Sequence, residues 1–276
     1  MLALRATAKK GMVINMGDSI YDFSDEIKPH SALSIDEMKE QLADGCKVLG
    51  YNGQSDGIWG HLSARIPGTD TYLMKSHGRG LEECEVENII TVRLDGKVME
   101  GNFRRHSEYP LHSETYRARP EVNAVLHTHP PYSVAFGSIG VPLAPVSQDA
   151  CLFADGLPVW TGTTTLIRDH ETAAKIAECL GDKLACLMRN HGILVVGASI
   201  YECVMHALTL EKACQVYMIA RAMGGPNFVS SPEEALIKKD QSFGGWGSGK
   251  MDYAAGFYVR MVREQEAHMR ALKKKD

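Results

Sequence analysis

The chain predicts an α/β fold in one domain, a central mixed but largely antiparallel sheet between helical layers. Three observations carry this. Apolar runs of strand length alternate with segments of helical periodicity. Two strand pairs are joined by turns too short for a crossover, Asp95–Gly96 within IITVRLDGKVM and Asn190–His191–Gly192 between Leu184–Arg189 and Ile193–Val196. Such turns demand antiparallel neighbours and rule out a purely parallel sheet. Helix starts are also well marked, because Ser34 with Glu37 and Ser199 with Glu202 have capping-box spacing.

The elements follow in order. Residues 1–30 read as a variable leader with some strand character. The first helix begins at LSIDEMKEQL, with Leu33 and Met38 as a hydrophobic staple and Ile35, Met38, Leu42 and Leu49 near one face. GQSDGIWGHLSARIPG mixes turn residues with a short strand, Tyr72–Lys75 is another, and the loop SHGRG follows. After the hairpin comes a helix, Pro110–Ala118, ended by Arg119–Pro120. Val122–His127 is a strand, and Tyr132–Ser138 is a short helix after the prolines. Asp169 opens a helix that Gly181 closes. The helix capped by Ser199 runs to about Met223. QSFGGWGSGKMDY is loop, and Asp252–Leu272 is a last helix that packs on a neighbouring subunit, lies across a site or simply coats the surface. The domain plan is leader 1–30, main domain 31–230, and glycine-rich loop plus helix 231–276.

Of 276 residues 44% are hydrophobic and 23% charged, so a normal core forms without staples. A net charge of −4 with no basic face excludes nucleic acid as the expected partner. The dense basic run Lys273–Lys275 complements the end of the last helix. The seven cysteines are odd in number and lack CxxC spacing, which points to reduced thiols and a cytoplasmic location. The N-terminal MLALRATAKKGMVI is too short in its apolar part for a signal peptide. No run approaches the roughly 18 apolar residues of a membrane span.

Chemistry enters at AVLHTHPPYS. His127 and His129 point to the same side of a strand that Pro130 and Pro131 must end. Two imidazoles about 6–7 Å apart along the strand converge on one metal ion if the backbone bends there; otherwise they are polar residues leaving a sheet. His191, in LMRNHGILVVG, is either a hydrogen-bonded turn residue or a third ligand. Three histidines with an open fourth position describe a catalytic metal site. Zinc, manganese, iron and cobalt all suit such donors. Glu108, in RRHSEYPLHSETYRARP, is the carboxylate candidate, either as ligand and proton shuttle or as a helix N-terminal acid. Glu114 competes with it.

The segments HSEYPLHSETYRARPEVNAVLHTH and RNHG resemble the class II (metal-dependent) aldolase/adducin family, as do GHLSAR, the loop after Tyr72–Lys75, and VRLDGKV. The resemblance covers about residues 34–225. It implies a three-layer αβα sandwich and a homotetramer with active sites near subunit interfaces. It implies His127, His129 and His191 as ligands of one divalent metal ion per chain, Mn²⁺ or Zn²⁺ with Fe²⁺ or Co²⁺ as alternatives, and Glu108 as acid–base residue and further ligand.

Where this family's sugar-phosphate aldolases carry Asn in GN-x-S, a Ser-Ser pair and an S-P-S-G loop, this chain has Gly60-His61-Leu62-Ser63, His106-Ser107 and Ser76-His77-Gly78-Arg79-Gly80. VPLAPVSQDACLF lacks the tyrosine that aldolases often use as proton donor. His61, Ser76, His77 and Arg79 are therefore the candidate substrate-binding residues. Arginine grips carboxylates through paired hydrogen bonds, though Arg79 could also bridge subunits. The pattern is closer to the family's decarboxylase-like members. The expected function is a metal-dependent carbon–carbon lyase, first a decarboxylase of a hydroxylated aromatic or heteroaromatic acid. The alternatives are an aldolase on a small hydroxy-carbonyl compound and a non-catalytic adducin-like scaffold.

Overall fold

The computed structural model describes residues 27–273. Most of the expected leader, and most of the basic run Lys273–Lys275, lie outside the described residues. The strands are β1 His61–Arg65, β2 Thr71–Lys75, β3 Ile89–Arg93, β4 Val98–Glu100, β5 Ala124–Thr128, β6 Val159–Trp160, β7 Ala185–Met188 and β8 Gly192–Gly197. They form one 8-stranded sheet in the order β4-β3-β2-β1-β5-β8-β7-β6. Every pairing is antiparallel except β6 with β7. The mixed, largely antiparallel α/β expectation holds.

The helices are α1 Ile35–Leu49, α2 Tyr109–Ala118, α3 Pro131–Ile139, α4 Gln148–Cys151, α5 His170–Leu180, α6 Ile200–Ala222, α7 Pro232–Phe243 and α8 Lys250–Lys273. They divide between the two faces because the strands alternate. Leu62, Ala64, Ala124, Leu126, Ile193 and Val195 join a core with α1 and α6. Tyr72, Val125, Leu194 and Val196 join a second core with α2 and α5. Two apolar layers on opposite faces of one sheet make the sandwich, and alternation from Val125 sends His127 toward the α2 face.

Some local expectations need correction. Ser34 and Glu37 close a complete capping box. Ser199 Oγ accepts from Glu202 N–H, but the Glu202 carboxylate turns to Gly247 N–H, 3.1 Å away, instead of back to the cap. The expected loop QSFGGWGSGKMDY is shorter than read, since Gln241–Phe243 end α7 and Lys250–Tyr253 begin α8. The signal for α7 was present, because Ser231 and Glu234 form a full capping box with a proline in the first turn. Helix α8 packs on its own chain. Met251, Ala255, Val259 and Val262 recur at helical spacing and sit in the first core, and Glu266 pairs with the buried Lys47 at 2.9 Å.

Gly244–Gly249 lies beside the Gly197 end of β8, where Glu202 holds Gly247. Burial pushes the Glu202 carboxyl up to about 7, reinforced by Asp252 and opposed by the Gly247 N–H. A carboxyl raised in the fold contributes stability that is complete below its ordinary range and lost as pH rises toward 7. The effect is as much as about 3 kcal/mol. Replacing Glu202→Gln should therefore flatten the decline of Tm between pH 4.5 and 7.5. Parallel declines in variant and wild type would remove Glu202 as its cause.

Candidate metal centre

The chain brings together Glu108, His127, His129 and His191, whose ligand atoms all lie within 4.8 Å of one another. Each arrives from a different local device. His127 is the fourth residue of β5, and His129 follows directly past its end, where Pro130 and Pro131 turn the chain into α3. The bend brings the two ring centroids to 4.9 Å and the two Nε2 atoms to 3.1 Å. His191 sits in the β7–β8 turn, reached through Asn190 at φ 54, and its ring centroid is 4.9 Å from that of His127. Glu108 is the N-cap residue of α2, but its side chain does not cap the helix. Its Oε1 accepts from Ile167 N–H at 2.8 Å.

Hydrogen-bond partners decide which nitrogens are bare. His127 Nδ1 lies 2.9 Å from Ile193 O, and a carbonyl only accepts, so the ring proton is on Nδ1. His129 Nδ1 lies 2.9 Å from Asp56 Oδ2, which likewise accepts. Both Nε2 lone pairs then face each other across 3.1 Å. His191 Nε2 lies 3.5 Å from Glu108 Oε1, and His127 Nε2 lies 3.8 Å from Glu108 Oε2. Both ring nitrogens of His191 are buried without a hydrogen-bond partner. Donors tetrahedrally placed about 2.1 Å from zinc stand roughly 3.4 Å apart. The observed separations bracket that edge, so the residues fit a small divalent cation.

The electrostatics agree. Burial, reinforced by His129 and His191, holds the His127 imidazole well below its ordinary range. Burial and His129 hold His191 at about 4. Neutral imidazoles are the form that binds metal. Burial raises Glu108, opposed by the Ile167 N–H. Gly192 leaves the space: a Cβ there would stand 2.5 Å from Thr128 O and 2.6 Å from His129 Cδ2.

Of the other candidates, His61 borders this cluster directly, and His106 links it to His77. His61 is buried, pairs in register with His127, and has its ring centroid 5.2 Å away. Ser76 is buried and its Oγ has no partner. His77 and Arg79 are exposed, and the His77 ring lies 5.3 Å from that of His106. Glu114 is committed elsewhere, to His170 and Arg117. Sequence reasoning missed Asp56 and the Ile167 N–H. Asp56 reads as one more turn residue, and a backbone donor leaves no mark in sequence. It also gave no role to His112, although Glu108, His112 and Tyr116 stand at i, i+4 and i+8 on one helix face.

The profile of the Class II Aldolase and Adducin N-terminal domain matches residues 40–218. A 3,4-dihydroxyphthalate decarboxylase from Arthrobacter keyseri is 34% identical over 200 residues, covering 68% of this chain and 80% of that protein. Decarboxylase NovR from Streptomyces niveus is 30% identical over 207 residues, covering 72% of this chain and 75% of that one. Among solved structures, the L-fuculose 1-phosphate aldolase of Glaciozyma antarctica superposes with a TM-score of 0.74 at 28% identity, covering 84% of this chain and 91% of that chain. These relatives indicate a lyase, a decarboxylase or an aldolase. With the fold, the histidine cluster and the matched span in agreement, the chain belongs to the class II aldolase and adducin family.

Proposed function

We propose that this protein is a divalent-metal-dependent carboxy-lyase acting on a hydroxylated aromatic or heteroaromatic carboxylic acid. The observation that carries the reading is the pair of Nε2 lone pairs facing each other 3.1 Å apart beneath a buried carboxyl group. His127, His129 and His191 would hold the cation, with Glu108 as a further donor until substrate displaces it. A non-catalytic scaffold has no use for such a cluster. The named relatives support decarboxylation, and so does histidine at position 61 where the sugar-phosphate aldolases carry asparagine.

A bound divalent cation supplies the charge that stabilises the electrons left behind when a C–C bond breaks. The chain's own residues do the remainder. Three neutral imidazoles would hold the cation without neutralising its charge. The Glu108 carboxyl has Oε1 engaged by Ile167 N–H, which leaves Oε2 to carry a proton. As CO₂ leaves, the bonding pair passes into the ring and Glu108 returns a proton to the carbon. His61, Ser76, His77 and Arg79 take the substrate's remaining polar groups. The exposure of His77 and Arg79 suits a site completed near a subunit interface of a homotetramer. The favoured metal is manganese or zinc. No helix among the described residues is long and apolar enough to cross a membrane.

The aldolase reading stands second, on the likeness to the fuculose-phosphate enzyme. The products separate the two, CO₂ in one case and two carbonyl-bearing fragments in the other.

Elemental analysis of protein reconstituted with Mn²⁺ or Zn²⁺ should find about one ion per chain, lost in a folded His127→Ala/His129→Ala double variant. The loaded enzyme should release CO₂ from 3,4-dihydroxyphthalate or a related hydroxylated aromatic acid. A wild type that takes up no metal would sink both lyase readings. Glu108→Gln should lower turnover at least about 100-fold, and full turnover in that variant would remove Glu108 from the proton transfer. Asp56→Asn should weaken metal affinity about 10- to 100-fold by loosening His129, as measured by competition with a chelator. Unchanged affinity would show that Asp56 does not orient His129.

A further inference from the structure

Between the sheet and α2 lies a buried hydrogen-bonded chain with no part in metal binding or proton return. Tyr116 Oη is 2.7 Å from Ser63 Oγ, Ser63 Oγ is 2.6 Å from His112 Nδ1, and His112 Nε2 is 2.6 Å from His61 Nδ1. His61, Ser63, His112 and Tyr116 are each at most 2% exposed. No bulk water can repair a mismatched donor there, so the protons must be ordered.

The order follows from the far end. Tyr116 Oη has no other hydrogen-bond partner among the described residues, so its O–H donates to Ser63. Ser63 then donates either to His112 Nδ1 at 2.6 Å or to Val125 O at 3.4 Å. Hydroxyl donors prefer about 2.7 Å and weaken well before 3.4 Å. Donation to His112 therefore uses every proton at good geometry. His112 consequently carries its proton on Nε2 and donates to His61 Nδ1. A neutral His61 must then carry its own proton on the remaining nitrogen, Nε2.

We propose that the Tyr116–Ser63–His112 chain fixes His61 as the Nε2–H tautomer, so that His61 is an obligate hydrogen-bond donor to an anionic oxygen of the substrate. Ser63 and His112 are then positioning residues. The assignment of an anionic partner rests on the carboxylated substrate proposed above; the tautomer does not. One neighbour supports an anion at this place. Ser76 follows β2 on the face to which Tyr72 and Met74 point, which is the face of His61, and its buried Oγ has no partner. His106 Nε2 lies 3.2 Å from Ser76 O, and the His106 ring lies 4.5 Å from that of His61. A substrate carboxylate facing His61 would accept from both side chains, since it accepts several donors and offers none.

The test is ¹⁵N NMR of ring-labelled histidines in the zinc-reconstituted protein, with His61 assigned through a His61→Gln variant and phthalate as the unreactive dicarboxylate probe. His61 should show the Nε2–H pattern, and phthalate should shift its Nε2. Ser63→Ala removes the group that orders His112, so the His112–His61 bond can run either way. In that variant the His61 shifts should average between tautomers and phthalate should bind about tenfold more weakly, the loss of one charge-assisted hydrogen bond, with zinc content unchanged. Ser63→Thr keeps a hydroxyl and should restore both readings. An Nδ1–H or doubly protonated His61 in the wild type would overturn the proposal, and so would a Ser63→Ala variant with wild-type shifts and affinity. Should Ser63→Ala fail to fold, the wild-type tautomer pattern and phthalate response decide. Failure of the wild type to bind phthalate would overturn the donor role. Absence of CO₂ release with an intact tautomer would strike the carboxy-lyase reading alone.

Discussion

The antiparallel pairing of β5 between β1 and β8 is the constraint on which the centre depends. It sets His127 opposite His61 on one side and opposite Leu194 on the other. A shift of β5 by one residue would turn His127 to the opposite face of the sheet, away from His61. The register is enforced by the alternating apolar residues of the same strands, since Leu126 and Val125 must enter different cores. The placement of the histidines is thus a by-product of burying leucine and valine. The resulting geometry is as rigid as the sheet itself.

Around that frame backbone groups position the clustered side chains. Ile193 C=O holds His127, Ile167 N–H holds Glu108, and the missing side chain of Gly192 gives the two strand-end histidines room to converge. A carbonyl that fixes an imidazole's tautomer also leaves the opposite nitrogen bare, the condition for binding a cation. On the other side of His127 the logic reverses. A hydroxyl in place of a carbonyl, at Ser63, can order a chain so that a histidine presents a proton instead of a lone pair. Two neighbouring histidines on paired strands thereby acquire opposite hydrogen-bonding character.

The glycine-rich segment is placed by the same economy. It lies beside the Gly197 end of β8, whereas the histidines gather at the Gly192 end. Six residues at about 3.3 Å each set those ends on the order of 15–20 Å apart. Within one protomer the segment ties α8 to the start of α6, and the apolar residues of α8 complete the core over α1 and α6.

Much of the cluster of Glu108, His127, His129 and His191 was legible in the sequence because its signals are local. The H-x-H spacing before two prolines, the N-H-G turn between apolar runs and an acidic residue at a helix start are each defined by a few neighbouring residues. So are the capping box of α1, the hairpin at Asp95–Gly96, and the alternation that set the fold class. What tertiary structure alone decided are relations between segments far apart in the chain. It joined Asp56 to His129, Ile167 to Glu108 and Ser63 to His112, buried His61 while exposing Arg79, and laid α8 on its own chain. Propensity and periodicity act over a turn or a strand, whereas these contacts follow from strand order and helix packing, which no short stretch of sequence contains.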